Sequence, residues 1–472
     1  MSATILHVDI NNFYAGVEIR DCPSLAGLPL VVGGDIEARH GIVLAKNNIA
    51  KSFGIQTAET IVSAVRKCPN LSIVPAHFEK YEQAMRQSRE ILMRFSDKIE
   101  PFGMDEAWLD VTTYAPTVED GREIADRIRE CYRRELGLTA SVGVSFCKVF
   151  AKLGSDMKKP DATTVIPKNG FKEKIFALPV ESLLFVGKET MHRLNLRGVF
   201  TIGDLARTDP TLLCEWLGSS GAELYRYANG LDESPVQNYG IETALKSISN
   251  SSTPPHDICC AGDALRMLQS LGENVAARLR KHKLKAGVVV LHVRDSTLST
   301  FERQVRLPRP SCLSFELRDA AFNLLCENYD WKRPIRSLGI RACGLVSANE
   351  PIQLCLFDDY EQTDRQLKIE KTADIIRKKY GSGSRHVSIN TGNFFHAGKK
   401  IQSASPNSVS FRQSKRNDEL HLEPLLAKYS MRNVLRHDES FTLRKDENIP
   451  ADGEPSRTFK HSHHSVSTGS VC

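Results

Sequence analysis

The chain has 472 residues, of which 41% are hydrophobic and 25% charged, as expected for a globular protein of two to four domains. Its formal charge of +6 is compatible with a polyanionic partner but does not establish one. The 12 cysteines form no C-x-x-C pair, no signal peptide is recognisable and no apolar run is long enough to cross a bilayer, so disulfide-rich and membrane proteins are excluded and a cytoplasmic protein is expected.

The first third of the chain alternates short strands with helices. Apolar runs and alternation predict strands at 4–9, 30–32, 104–111 and 139–145, and helical spacing predicts helices at 79–97 and 119–136. A tight acidic turn between two strands indicates an α+β sheet layer.

The rest of the chain changes character twice. Short helices separated by Gly turns are predicted from 166 to 232. A β-α-β-β-α-β module follows, predicted as a split βαβ sandwich with elements at 242–249, 261–281, 286–295, 299–307, 311–329 and 335–346. Residues 361–380 predict a charged, exposed helix, and the polar, Ser-rich segment 381–472 predicts a disordered tail.

Three acidic residues stand at predicted strand ends: Asp9, Asp105 and Glu106. Carboxylates are costly to bury unless they are hydrogen-bonded or bound to a cation, and three converging carboxylates repel one another. Divalent metal ions relieve that repulsion, and Mg²⁺ suits sites made of a few carboxylates and substrate phosphates. Taken singly, each acid is also explained by a turn cap or a hairpin.

Three motifs, in order, closely resemble those of the Y-family DNA polymerases, in particular the bacterial DNA polymerase IV group. They are residues 7–18 (HVDINNFYAGVE), residues 104–111 (MDEAWLDV), and residues 141–145 (SVGVS) continuing through 148–152 and 155–160. The resemblance covers about residues 4–357.

The resemblance implies a multidomain right-hand polymerase fold. The expected parts are a palm at 1–27 and 75–165, fingers at 28–74, a helical thumb with a helix-hairpin-helix at 166–232, a linker at 233–240, a split βαβ little finger at 241–349, a clamp-binding motif and charged helix at 350–380, and the tail at 381–472.

The resemblance also implies a two-metal active site. Asp9 and Asp105 are expected to bridge two Mg²⁺ ions, Glu106 to hold the catalytic ion, and the carbonyl of Ile10 to be a further ligand. Tyr14 matches the steric gate that clashes with a ribose 2′-hydroxyl.

Five residues are expected to contact the incoming deoxynucleotide: Asn11, Asn12, Phe13, Lys51 and Lys159. The chain departs from the family at one point, because Asn48 and Lys51 stand where a tyrosine and an arginine are usual. Lys51 keeps the positive charge but lacks the bidentate guanidinium fork.

Primed template DNA is the expected polymeric partner. Residues 241–349 carry 16 Lys/Arg and 10 Asp/Glu, and the expected DNA-binding residues are Gly187, Lys188, Arg280, Lys281, Lys283, Arg303 and Arg306. Phe185 replaces the usual first glycine of the hairpin, so an ordinary helix–helix loop remains an alternative there. Residues 187–188 are not part of a Walker A loop, because the glycine and the Ser/Thr of that motif are missing.

Residues 353–357 (QLCLF) resemble the pentapeptide that binds the β subunit sliding clamp, through Gln353, Leu354, Leu356 and Phe357. Apolar side chains on a short polar tether can insert into a groove on a partner. The alternative is a strand edge that packs on the little finger.

The expected function is translesion DNA synthesis during repair of DNA damage, by a monomeric polymerase without proofreading. Two other classes stay open: a nucleotidyl cyclase, which shares palm-like sheets and paired metals, and an accessory DNA- and clamp-binding protein without catalysis. Lesion spectrum, fidelity, damage-induced expression and the role of the tail do not follow from the sequence.

Overall fold

The computed structural model of the protein describes residues 3–34, 41–241, 244–350 and 360–380. These residues form twelve strands in three sheets. The strands are β1 (Ile5–Ile10), β2 (Leu30–Gly33), β3 (Val43–Lys46), β4 (Ser72–Pro75), β5 (Ile99–Pro101), β6 (Glu106–Asp110), β7 (Ala140–Ser145), β8 (Thr163–Ile166), β9 (Ser247–Ser252), β10 (Leu284–Asp295), β11 (Thr300–Ser311) and β12 (Ile335–Ser347).

The same residues form fourteen α-helices, with short 3₁₀ turns at Pro23–Leu25 and Val180–Ser182 and a π-helical turn at Tyr132–Leu136. The helices are α1 (Phe13–Asp21), α2 (Asn48–Ser52), α3 (Ile61–Lys67), α4 (Phe78–Leu92), α5 (Val118–Cys131), α6 (Lys148–Met157), α7 (Phe171–Ile175), α8 (Lys188–Asn195), α9 (Ile202–Arg207), α10 (Pro210–Leu217), α11 (Ser219–Ala228), α12 (Ala261–Lys281), α13 (Ser314–Asn328) and α14 (Tyr360–Tyr380). None of these helices has the length and apolarity needed to span a membrane.

The first sheet has the strand order β5-β6-β1-β7-β8, and its central strand β1 is buried along its whole length. Strand β1 runs antiparallel to both neighbours. Helices α5 and α6 cover opposite faces of this sheet. Alternate residues of β7 show this, since Val144 lies against Gly121 of α5 and Gly143 lies against Ala151 of α6. His7 and Asp9 therefore project toward α6.

Gly143 sets the distance between β7 and α6. A Cβ atom at this position would lie 1.8 Å from the Ala151 carbonyl oxygen and 2.5 Å from the Ser155 nitrogen, which is impossible without moving the backbone. Gly154 continues the contact from the helix, since its Cβ would lie 3.1 Å from the Gly143 Cα. The two glycines thus hold the helix directly against the strand.

A second, smaller sheet has the order β3-β2-β4 and carries α2 and α3. The buried Asn47 joins these elements, because its side chain accepts from Leu30 N and from Ala50 N in the first turn of α2, and donates to the Leu28 carbonyl. Asn47 is thus both the N-cap of α2 and a bridge to β2. Helices α7 to α11 form a separate apolar core around Phe150, Ile202 and Leu224.

The third sheet, β11-β10-β12-β9, is antiparallel throughout. Strand β12 lies between β9 and β10, and β10 lies between β11 and β12, so both helical crossovers are split βαβ units as predicted. Helices α12 and α13 pack on one face of this sheet. We call the other face, which no described helix packs against, the open face.

The sequence predictions agree with most element types and miss several boundaries. The strand predicted at 242–249 is observed at Ser247–Ser252, and the helix predicted at 79–97 ends at Leu92. The helix predicted at 361–380 exists, but it is not simply exposed, because Glu370 is buried against α13 and Leu367 joins the apolar core of the module. The tail at 381–472 lies outside the described residues.

Candidate active site

The pairing of β1 with β6 brings three carboxylates together. Asp9 faces Glu106 in the register of the two strands, and Asp105 precedes Glu106 in the turn that leads into β6. The backbone N–H of Ile10 donates to the Asp105 carbonyl at 3.1 Å and fixes this turn against β1. The three acids line one cavity of about 390 Å³ with Ile10, Tyr14 of α1 and Lys159.

Asp9 is the most deeply buried of the three, with 4% of its surface exposed. Burial raises the pKa of Asp9 to about 7, although Lys159 acts against this shift from 2.7 Å. Burial by itself would lower the pKa of Lys159, but Asp9 and Asp156 together raise it. The ion pair with Lys159 therefore opposes, but does not outweigh, the cost of burying the Asp9 carboxylate.

Glu106 has a different environment. Burial opposes its ionisation, but His7 and Lys152 outweigh burial and lower the pKa of Glu106 to about 2. Lys152 Nζ lies 2.8 Å from Glu106 Oε2, and His7 Nε2 lies 3.3 Å from the same oxygen. Burial lowers the pKa of His7 to about 4, so its imidazole is neutral at neutral pH. Neither Lys152 nor His7 was assigned a role from the sequence.

Asp105 lacks a close cationic partner among the described residues. Burial, and then the charge of Glu106, raise the pKa of Asp105. The turn that carries Asp105 is held by Arg89, a buried residue of α4. The guanidinium of Arg89 donates to the Glu106 carbonyl at 2.7 Å and to the Gly103 carbonyl at 3.3 Å. Sequence reasoning missed Arg89; an arginine inside an otherwise apolar helical face was the available signal.

The carboxylates share the cavity but are not preassembled around one point. Within the described ranges, no three His, Cys, Asp or Glu side chains stand at the spacing of a closed metal site. The donor set nevertheless fits divalent cations, because burial raises the pKa of Asp9 and of Asp105, and a bound cation would offset the cost of keeping these carboxylates ionised. Site ligands beyond these carboxylates are expected to come from substrate phosphates.

Tyr14 reaches the cavity from the first turn of α1. Its ring stacks on Tyr81 with ring centroids 4.2 Å apart and an interplanar angle of 12°, and its hydroxyl donates to Met104 Sδ at 3.3 Å. Tyr81 is held in turn by the buried carboxylate of Glu18, which accepts from the Tyr81 hydroxyl at 2.5 Å and contacts His77 Nδ1 at 2.8 Å. The ring of Tyr14 is therefore fixed on two sides.

The residues predicted to bind the nucleotide separate into two groups. Asn12, Phe13 and Lys159 line the cavity. Asn11 is not among the lining residues; its side chain donates to Ser141 Oγ at 2.9 Å and accepts from Asp161 N at 2.8 Å, and its contact with the nucleotide stays a prediction.

Asn48 and Lys51 are the two residues that stand where the family usually has a tyrosine and an arginine, and Lys51 was expected to contact the nucleotide. Asn48 Oδ1 accepts from Asn12 Nδ2 at 3.1 Å, and Lys51 is exposed. Neither residue is among those that line the cavity. Two residues not predicted, Lys46 at the end of β3 and Thr57 in the loop before α3, do line it.

The predicted DNA-binding residues of the helical region lie on a turn. Gly187 is the N-cap residue of α8 and Lys188 its first residue, and Lys188 is exposed. Phe185 takes a left-handed backbone conformation with φ of +69° and is 61% exposed. The chain thus makes the turn with a phenylalanine where glycine is the residue that adopts this conformation without strain.

The prediction for Arg280 is wrong in this structure. Its guanidinium is buried, bonded to Glu370, to Asp374 at 2.6 Å and to the Cys312 carbonyl at 2.9 Å. It therefore joins α12 to α14 inside the module and is not available to phosphates. A charge run in the sequence did not distinguish this arginine from its neighbours Lys281 and Lys283, which are exposed.

Arg303 and Arg306 of β11 are exposed but lie on different faces of the sheet. Arg303 pairs with the core residue Leu291 and donates to Asn328 Oδ1 at 3.1 Å, so it points toward α13. Arg306 pairs with Val288 on the open face. Arg294 and Arg341, which were not predicted, project from the same open face.

The predicted clamp-binding residues Gln353, Leu354, Leu356 and Phe357 lie outside the described residues.

Comparison with known proteins identifies the relationships of the chain. Residues 8–156 match the model of the impB/mucB/samB family, and residues 245–356 match the model of the C-terminal domain of that family. The chain is 44% identical over 381 residues to DNA polymerase IV of Acetivibrio thermocellus, an alignment that covers 81% of this chain and 96% of the relative. It is 34% identical over 397 residues to DNA polymerase IV of Clostridium acetobutylicum, again covering 81% and 96%.

A solved structure shares the fold. The Y-family DNA polymerase chimera Dbh-Dpo4(243-245)-Dbh superposes with a TM-score of 0.66 and 23% sequence identity, covering 73% of this chain and 99% of that chain. The α+β multidomain architecture predicted from the sequence is confirmed by this likeness.

Proposed function

The chain belongs to the Y family of DNA polymerases, in the DNA polymerase IV group, and is a DNA-directed DNA polymerase of the translesion type; from this premise we propose that it extends primers by two-metal catalysis with Mg²⁺ and without proofreading. Its substrates are DNA and deoxynucleoside triphosphates. We further propose that it acts as a monomer in the cytoplasm. The proposed palm is 1–27 with 75–165, the fingers 28–74, the thumb 166–232 and the little finger 241–349.

The observation that carries the mechanism is the cavity of about 390 Å³, in which Asp9, Asp105 and Glu106 meet Lys159. Asp9 and Asp105 would hold both Mg²⁺ ions, with Glu106 and the Ile10 carbonyl completing the protein ligands. Bound there, the ions would favour ionisation of the primer 3′-hydroxyl and stabilise the charge on the leaving pyrophosphate.

The protein's own residues would perform three tasks around this step. Lys159, which pairs with Asp9 at 2.7 Å, would exchange that carboxylate for the triphosphate. Lys152 and His7 would keep Glu106 ionised and in place. Tyr14, fixed by Tyr81, would exclude a ribose 2′-hydroxyl by contact.

The proposed grip on primed DNA combines two surfaces. The turn at Gly187–Lys188 presents backbone N–H groups of α8 to a phosphate. On the little finger, Arg306, Arg294 and Arg341 project from the open face, and the exposed Lys281 and Lys283 lie at the end of α12 and in the turn that leads into β10. Contacts of this kind are independent of sequence and weaken steeply with salt.

Primer extension tests the polymerase mechanism. Wild-type protein with Mg²⁺ should elongate a primer on damaged and undamaged templates, whereas Asp105→Ala and Glu106→Ala should not. Full activity in either variant would contradict the metal assignment. Products formed from nucleotides without a template would instead favour a cyclase, and DNA binding without any product would favour an accessory protein.

The pentapeptide requires a separate experiment. Replacement of Leu356 and Phe357 by alanine should abolish binding to the sliding clamp but leave extension of short primed templates unchanged. Retention of clamp affinity in this double variant would assign the pentapeptide to packing on the little finger instead.

A further inference from the structure

Lys46 ends strand β3 and reaches into the cavity that holds the three carboxylates. It is half-buried, and its ammonium group donates to Thr57 Oγ1 at 3.0 Å. Thr57 lines the same cavity. The hydrogen bond directs a flexible side chain toward one position, so Lys46 is a cation placed at the site and not a surface charge.

Lys46 differs from the other lysines of the site in its partners. Lys159 pairs with Asp9 at 2.7 Å and Lys152 with Glu106 at 2.8 Å. Lys46 has no ion-pair partner among the residues that the structure describes, and Thr57 supplies only a neutral oxygen. A partly buried ammonium without a counter-ion is unfavourable, and an anionic ligand removes that cost.

The electrostatic surroundings support the same conclusion. Burial lowers the pKa of Lys46, and the positive charge of Lys51 lowers it further. Glu59 acts in the opposite direction, but its carboxylate is paired with Lys67 at 2.7 Å. Lys46 therefore places at the cavity an ammonium group whose one hydrogen-bond acceptor among the described residues is the neutral Thr57 hydroxyl.

The backbone makes this placement specific. Lys46 pairs with Val31 on β2, and the next residue, Asn47, is locked by three hydrogen bonds to Leu28, Leu30 and Ala50. The strand end is thus fixed one residue before α2. Lys51, five residues later, is exposed on α2 and does not line the cavity.

We propose that Lys46, positioned by Thr57, binds the phosphates of the incoming nucleotide and takes over the contact that the sequence assigns to Lys51. The inference rests on the proposed function, since it names a residue of that same site. A lysine ammonium is a compact point charge with three donors, which suits a phosphate oxygen without the planar geometry that an arginine requires.

Single-nucleotide incorporation kinetics test the proposal with Lys46→Ala, the longer-stemmed Lys46→Met and the matched control Lys51→Ala. For both Lys46 variants, KM should rise about tenfold for all four deoxynucleotides alike, with kcat changed by less than about threefold, because one charge-assisted contact is lost. Lys51→Ala should change KM by less than about threefold, since an exposed charge contributes little. Thr57→Val should give an intermediate KM and an unchanged kcat.

A second measurement is independent of catalysis. Inorganic tripolyphosphate should bind wild-type protein and Lys51→Ala with similar affinity, and both Lys46 variants about tenfold more weakly. Their affinity for primed DNA and their melting temperature should equal those of the wild type. If the wild type extended no primer, the proposed function would fail, and tripolyphosphate binding would still decide the role of Lys46.

Three results would overturn the proposal. One is unchanged KM and tripolyphosphate affinity in both Lys46 variants. Another is an effect restricted to particular bases, which would place Lys46 against the base. The third is a loss of primed-DNA affinity equal to the loss of nucleotide affinity, which would make Lys46 a general DNA contact.

Discussion

The five-stranded sheet and the little finger use charged residues in contrasting ways. In the sheet, Asp9, Glu106 and Lys159 are far apart in the sequence and meet in one cavity. In the little finger, basic residues that are close in the sequence are separated by the fold: Arg280 is buried against Glu370, while Lys281 is exposed. Charged groups that converge from distant positions thus indicate chemistry more reliably than a run of like charges.

The largest expected effect comes from Asp105. Asp105→Asn should reduce primer extension by at least about 10³-fold, because a metal ligand contributes several kcal/mol of transition-state stabilisation. In the absence of metal ions, the Asp105→Asn variant should have a melting temperature no lower than that of the wild type. Since the pKa of Asp105 is raised on folding, its ionised form destabilises the folded state above that pKa, and asparagine removes the cost.

Asp110, on the same strand, is the matched control. Burial opposes its ionisation, but hydrogen bonds from Thr112 lower the pKa of Asp110, so its carboxylate stabilises the fold above the unfolded pKa. Asp110→Asn should lower the melting temperature at pH 8 and leave extension largely intact. A lower melting temperature in Asp105→Asn than in Asp110→Asn would contradict the expectation that ionised Asp105 destabilises the fold whereas ionised Asp110 stabilises it.

Among the effects on activity, Tyr14, the proposed steric gate, should give the second largest. Tyr14→Ala should raise the efficiency of ribonucleotide incorporation relative to deoxynucleotide by roughly 10- to 100-fold, because it removes a steric clash worth about 1–3 kcal/mol. The ratio of kcat/KM for dCTP and CTP measures this. Glu18→Gln, which leaves both rings in place, should change the ratio much less. An unchanged ratio in Tyr14→Ala would exclude Tyr14 as the gate.

Arg280 tests the statement that a basic residue of the little finger stabilises the fold and does not bind DNA. Arg280→Gln should lower the free energy of unfolding by about 3–5 kcal/mol, because it leaves the buried carboxylate of Glu370 without its cation. The slope of DNA affinity against salt should not change. Thermal or denaturant unfolding and DNA binding at several salt concentrations measure the two effects, and a change in salt slope without a loss of stability would restore Arg280 as a DNA contact.

The smallest effect is expected at the open face. Arg306→Ala should weaken DNA binding a few-fold and reduce the salt slope by about one. Its stability should stay within about 0.5 kcal/mol of the wild type, because the residue is exposed. Arg303→Ala, on the other face of the same strand, should leave the slope unaltered. Equal slopes for the two variants would mean that the open face does not carry the DNA.

The sequence singled out the three carboxylates and Tyr14, which the structure brings into one cavity, because each lies in a short motif close to a strand end. It predicted the split βαβ module from element order alone. It failed where long-range packing decides: Arg89 reaches the Asp105–Glu106 turn from α4, and Arg280 meets α14, 90 residues later along the chain. Lys46 was missed because nothing local distinguishes a lysine that enters a cavity from one that enters solvent.

The contact between Gly143 and α6 bears on how such a polymerase can change during evolution. A side chain at Gly143 would collide with the backbone of α6, so the strand beside Asp9 and the helix that carries Lys152 must vary as one unit. In the small sheet that carries Lys46, Asn48 and Lys51, the tight glycine contact is of another kind, because a Cβ atom at Gly33 would meet the side chain of Ile61, at 2.2 Å, and not the backbone of a helix. We therefore expect the proposed nucleotide contacts of this sheet to tolerate exchange more readily than the proposed metal-binding half of the site.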